Sequence, residues 1–277
     1  MRRLIIILIL TILASSSYSQ NLSGYGEIFK RRTVTKRKPV PYQSVREADV
    51  IWAKLLWREV NLREKINLPL YFPEKPMDGR CSLIDLLLKG IKEETIVAFD
   101  TDDDEFRVPI TFDAIRKRLG AGVDSVDIDQ EDGSIKRVAN ISEVKSFEVK
   151  RIIIKELWYF DKQSSTMQVR IIGLCPVREY YKKNDPELKQ MKVFWVNYDE
   201  CRDLLVTNDV FNNRNDALRF SYDDLFIKRR FNSIIKKESN VYNNRPISSY
   251  ADGLDAMIES DRIKNEMFNW EQDLWQY

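Results

Sequence analysis

Two serine–lysine pairs come nearest to a catalytic pattern. Ser142-x-x-Lys145 and Ser233-x-x-Lys236 set a hydroxyl three residues before an amine, the spacing with which penicillin-binding enzymes activate serine without histidine. Neither is followed by Lys-Thr-Gly or Ser-x-Asn at a usable distance, so the context of that chemistry is missing. The chain has no histidine, which removes the commonest general base, the commonest metal ligand and every Ser-His or Cys-His arrangement. Catalysis would fall to carboxylates, Lys or Tyr.

The carboxylates cluster twice. Asp127-Ile128-Asp129-Gln130-Glu131-Asp132-Gly133 opens like a calcium loop, but its glycine falls one place late and Val138 stands where a bidentate Glu is needed. Asp100, Asp102, Asp103, Asp104 and Glu105 carry charge for a hard cation, yet consecutive residues on an extended segment point alternately apart. Both read as solvated loops. No P-loop, dinucleotide fingerprint or zinc spacing occurs. The sequence therefore assigns no catalytic, cofactor-binding or metal-ligating residue.

What remains is chemistry of contact. Lys30, Arg31, Arg32, Lys36, Arg37 and Lys38 face a single acid, Glu27, in residues 20–40, which suits an acidic partner or a lipid headgroup surface; a solvated tail is the alternative. Aromatic residues are frequent, with 13 Phe, 6 Trp and 12 Tyr. Trp57-Arg58 and Tyr71-Phe72 make the aromatic-plus-Arg cluster typical of interface hot spots, with packing beneath a strap as the competing reading.

The elements that would position these groups follow from patterning. Arg2 and Arg3, the apolar run Leu4 to Leu13 and the small residues of Ser17-Tyr18-Ser19 predict a signal peptide over 1–19; a retained anchor is the alternative, for which ten residues are short. Its removal takes away two cations and no acid, so the formal +2 disappears and nucleic-acid binding loses support. A basic flexible arm follows over 20–45, then a single α+β domain over 46–277. Trp52, Leu55, Leu56 and Val60 predict a long N-terminal helix, and the prolines of Asn67 to Pro76 an extended strap. Ser82 with Asp85 caps a helix through Ile91, and Thr111 to Leu119 forms another. Asp132-Gly133 predicts a hairpin between Val126 and Val138; Val149 to Phe160 and Met167 to Cys175 predict an antiparallel pair, with Val193 to Val196 as a third strand. The last third reads as helical: Ser221 with Asp224 caps a helix carrying Ile227, Phe231, Ile234 and Ile235, and Ile263, Met267, Trp270 and Leu274 share one face of another. An antiparallel sheet flanked by helices is the expected architecture. Cys81, Cys175 and Cys201 are odd in number; a Cys175–Cys201 bridge and two buried free thiols both stay open.

Several blocks in one order resemble the gliding-motility protein N (GldN/PorN) family: Arg46-Glu47-Ala48-Asp49-Val50-Ile51-Trp52, Leu55-Leu56-Trp57-Arg58, Leu62 to Pro73, Lys155 to Lys162, Arg170 to Pro176, Phe194 to Tyr198, Val210 to Ala217, Lys237 to Asn240 and Glu271 to Trp275. The resemblance implies a non-enzymatic, periplasmic component of the type IX secretion system without a membrane span of its own. It implies a homo-oligomeric ring assembled with an outer-membrane lipoprotein of the gliding protein K type, and contact with the periplasmic domain of the motor protein M. A periplasmic hydrolase or glycan-binding module is the competing class.

Overall fold

The computed structural model describes residues 37–77, 79–121, 123–129, 135–141, 144–182, 185–212, 215 and 219–274. Its strands are β1 (Val50–Asn61), β2 (Ala98–Phe99), β3 (Val123–Asp129), β4 (Ile135–Ile141), β5 (Val149–Asp161), β6 (Thr166–Lys182), β7 (Asp185–Lys192), β8 (Trp195–Asn197), β9 (Asp209–Val210), β10 (Phe220–Ser221) and β11 (Ile234–Glu238). Its helices are α1 (Leu68–Tyr71), α2 (Leu83–Lys92), α3 (Phe112–Arg118), α4 (Tyr198–Val206), α5 (Tyr222–Ile227) and α6 (Gly253–Asp273). Seven strands form one antiparallel sheet in the order β11-β1-β5-β6-β8-β2, with β7 also paired to β6. The molecule is α+β, as expected.

The predicted long N-terminal helix is instead β1, paired along nearly its whole length with β5 and at its far end with β11. Strand alternation puts Trp52, Leu56 and Val60 on one face and Leu55 and Trp57 on the other. Around Leu55 to Val60 both faces are covered, so apolar residues fall on both sides of the strand and Trp52, Leu55, Leu56 and Val60 imitate helical spacing. On one face, α2, α4 and α5 pack on Val60, Ile152, Ile154 and Leu174, while α6 brings Ile263 and Met267 against Leu56 and Ile235. On the other face lie Trp57, Ile153, Cys175 and Trp195, covered by Phe99 and Phe106 from the segment around β2. A Cβ on Gly173 would run into the Phe106 ring, so that cover demands glycine in β6.

The β5–β6 pair is confirmed, with Ile152 opposite Pro176 and Phe160 opposite Met167, and β6 runs on to Lys182. The expected hairpin appears as β3 and β4, Val126 opposite Val138, while its Asp-Gly tip lies outside the described residues. Ser82 caps α2 by accepting the Asp85 amide, and Ser221 with Asp224 forms a complete capping box on α5. That helix ends at Ile227, however, and Ile234 and Ile235 enter the sheet as β11. The chain reverses through Arg229 at φ 49°, and β11 supplies the ladder partner that β1 needs on its outer side. The helical last third is thus interrupted by strand. The strap begins with one helical turn, α1, because proline is tolerated in a first turn; it leaves that turn at Phe72. In α6, Ile263 and Met267 are buried and Trp270 stacks on Trp52 with ring centroids 5.0 Å apart, as their spacing predicts.

Trp57 is 5% exposed, with the Lys237 ammonium 4.0 Å from its ring centroid. Truncating a large buried aromatic leaves a cavity as well as lost transfer energy. Trp57→Ala should therefore lower unfolding stability by about 3–5 kcal/mol in urea titration. A variant as stable as the parent would return Trp57 to the role of a partner contact.

Candidate functional site

The sheet contains charges where the strand pattern calls for apolar residues. Glu156 of β5 has no exposed surface. Its carboxylate accepts hydrogen bonds from Arg229 at 2.9 and 3.3 Å and from the Trp158 indole at 2.9 Å, and the Arg58 Nε lies 3.2 Å away. Both guanidinium carbons stand over the Trp158 ring, Arg58 at 5.4 Å and Arg229 at 5.1 Å. Burial pulls the Arg58 pKa down, with Glu156 opposing and Arg229 adding to the fall. On the opposite face Glu179 receives Arg151 and Arg63, each at 2.6 Å, and Arg151 also binds Glu59 at 2.6 Å.

The acidic run has a cation at most of its members. Asp100 receives Arg118 at 2.7 Å, Arg107 pairs with Asp103 and Glu105, and Asp104 lies 3.6 Å from Lys155 and 3.4 Å from Lys237. Burial would raise the Asp104 carboxyl, but the two ammonium groups outweigh it and hold it below its ordinary 3.8. Among the described residues, no group of three or more acidic or cysteine side chains is arranged to hold a metal. Ser233 Oγ accepts from Arg58 at 3.3 Å whereas Lys236 reaches Glu59 at 3.5 Å, so the pair is directed to different partners. Lys145 sits 3.4 Å from Glu148, and Ser142 lies outside the described residues.

The candidate contact residues divide in the same way. Lys30, Arg31, Arg32 and Lys36 lie outside the described residues. Arg37 binds Asp224 at 3.0 Å and Lys38 is exposed. Trp57, Arg58 and Tyr71 are buried, and Tyr71 donates its hydroxyl to the Phe147 carbonyl at 2.9 Å; Phe72 is 47% exposed. The aromatic cluster read from the sequence is therefore mostly interior. What the sequence did not single out is the seat of residues 37–43. Tyr42 lies between two guanidiniums, 4.2 Å from Arg202 and 4.9 Å from Arg170, whose side chains donate to the Val40 and Gln43 carbonyls. Arg202 is held in turn by buried Asp223, which also accepts from Tyr198 at 2.8 Å. Pro39-Val40-Pro41-Tyr42, beside the basic segment, is its one trace in the sequence.

All three cysteines are free. Cys175 belongs to the cluster around Trp57 and Cys201 to the core on the opposite face, so the sheet stands between the two sulfurs in place of a bridge. Burial pushes the Cys175 thiol up to about 12 and raises Cys201 and Cys81 as well.

Removing one partner of a buried pair strands the others without solvent. Glu156→Gln should cost about 3–5 kcal/mol of unfolding stability, and the double change Glu156→Leu with Arg58→Met should recover much of it; a harmless Glu156→Gln would contradict the geometry. Asp104 gives a pH signature. Its depressed carboxyl stabilises the fold above the ordinary 3.8 and loses that contribution as pH falls through its folded value, so the stability gap between parent and Asp104→Asn should narrow in acid. A gap unchanged by acid would rule out the ion pairs as its source.

The arrangement ties segments of the chain together, and among the described residues the two serine hydroxyls that meet a carboxylate, Ser82 at Asp85 and Ser221 at Asp224, serve as helix caps. Comparison with curated proteins returns no match. The model of the family described as gliding motility associated protein GldN matches residues 45–276, from just before β1 to beyond the last described turn of α6. The chain belongs to the GldN family of gliding-motility-associated proteins.

Proposed function

We propose that the protein is a non-enzymatic structural subunit of a periplasmic ring complex in the type IX secretion and gliding machinery. It assembles with an outer-membrane lipoprotein of the gliding protein K type and contacts the periplasmic domain of the motor protein M. The observation that carries this reading is the family match across the whole described body. The architecture supports it, since the buried carboxylates Glu156, Glu179 and Asp223 are each bound to arginines that tie separate segments together. No described helix is long and apolar enough to cross a membrane. In this reading the lipoprotein supplies the attachment to the outer membrane.

Full-length protein purified from detergent-solubilised envelopes should emerge in a large assembly with the lipoprotein. Recovery as a free periplasmic protein would favour a hydrolase or glycan-binding module instead. Neutralising the cations from Lys30 to Lys38 should weaken that assembly while circular dichroism of the body stays unchanged. Unaltered capture of the lipoprotein across a salt series would leave the arm a passive tail. Ser233→Ala, folded and assembled, should retain secretion, and complete loss would reopen the enzyme reading.

A further inference from the structure

Around the short β9–β10 pair and the start of α5, basic and aromatic side chains converge on one stretch of surface. Asp224 binds two cations at once, Arg37 at 3.0 Å and Lys228 at 2.9 Å. Arg219 pairs with half-buried Asp209, on which Arg37 and Arg80 also act. One oxygen of that carboxylate is buried without a hydrogen-bond partner. Phe220 lies between Arg230, 4.2 Å from its centroid, and Lys228 at 5.7 Å. Arg80 stands 5.3 Å over Phe211, a ring that is 46% exposed, and Ile227 is exposed beside Lys228. Among the described residues, Arg37 and Lys228 bind Asp224, Arg219 binds Asp209 with Arg80 acting on it, and the exposed Arg230 guanidinium meets only the Phe220 ring.

We propose that this face docks an acidic protein segment in which carboxylates alternate with apolar side chains. The cations supply the charge complement: Arg37 and Lys228 share one carboxylate, and Arg230 has none among the described residues. Four of the five are arginines, whose planar donors suit carboxylate oxygens. Phe211, Phe220 and Ile227 supply apolar contact between the charges. A lipid surface fits less well, because Phe220 is flanked by two cations and cannot enter hydrocarbon without carrying them along. The inference deepens the scaffold reading and rests on it, naming one surface and the chemistry of its partner. Arg37, a member of the basic run in the sequence, reaches this face through Asp224.

The test uses the full chain with a fluorescein-labelled synthetic peptide of alternating Glu and Leu, followed by fluorescence anisotropy. The parent should bind it, and bind a Gln-for-Glu peptide at least about tenfold more weakly, with affinity falling as salt screens the charges. Lys228→Glu with Arg230→Glu should reduce binding about tenfold, the scale on which rim charges act. Lys65→Glu with Lys117→Glu changes net charge equally on exposed positions elsewhere and should leave binding unaltered. Arg230→Ala gives a milder change should the double reversal fail to fold. Equal loss in both double variants would reduce the effect to net charge and overturn the proposal. So would retention on phosphatidylglycerol vesicles, lost in Lys228→Glu with Arg230→Glu, without peptide binding. Failed peptide binding with intact co-purification sinks this surface alone, whereas peptide binding without co-purification sinks the machinery reading alone.

Discussion

A carboxylate with no exposed surface sits in the middle of a seven-stranded sheet, and the fold has to neutralise it from within. Glu156 is one of the most expensive groups to bury, because its charge leaves water entirely. Its cations come from distant parts of the chain, Arg58 from β1 and Arg229 from the turn after α5. The carboxylate can be satisfied only when the strand and that turn have both arrived. Trp158 fixes the geometry further by donating to Glu156 while lying under both guanidiniums. The charge thus ties β1, β5 and the turn after α5 to one another at a single point.

Two-sided burial explains what the sequence disclosed and what it concealed. Elements with one dry face were legible: α2 and α6 from their spacing and the caps from Ser82 and Ser221. The β5–β6 pair was legible from its length and short polar connection. β1 was not, since a strand covered on both faces shows no alternation, and Trp52, Leu55, Leu56 and Val60 fit a helical period as well as a strand. Ile234 and Ile235 failed for a different reason. Their place in the sheet is decided by a partner strand far away in sequence, which local periodicity does not contain. Of the contact residues, Arg37 stands out through charge, whereas Trp57 and Tyr71 left packing and contact equally open, because aromatics beside arginine look alike in a core and at an interface; the structure buries both. Tyr42 and Arg202 meet only through the fold.

The blocks on which the family resemblance rests overlap the buried charges. Trp57-Arg58, Lys155 to Lys162 and Arg170 to Pro176 contain Arg58, Lys155, Glu156, Trp158 and Arg170, all of which bind or stack across segment boundaries. The resemblance therefore covers ion pairs buried within a sheet, and its block Val210 to Ala217 includes the exposed Phe211 beneath Arg80. A protein whose interior is tied by arginine and carboxylate, with no imidazole to titrate, keeps those ties across the neutral range.

The placement of the thiols has a practical side. The thiolate is the reactive form of cysteine, and burial makes it scarce at Cys175, Cys201 and the half-buried Cys81. In oxidising surroundings these sulfurs are slow to exchange disulfides, so the odd number of cysteines does not commit the chain to a bridge with a neighbour. A cysteine introduced on the exposed surface would outcompete the enclosed Cys175 and Cys201 for a maleimide or a spin label. Replacing the half-buried Cys81 alone would leave a single-site labelling scaffold, since Cys175 and Cys201 have no exposed surface.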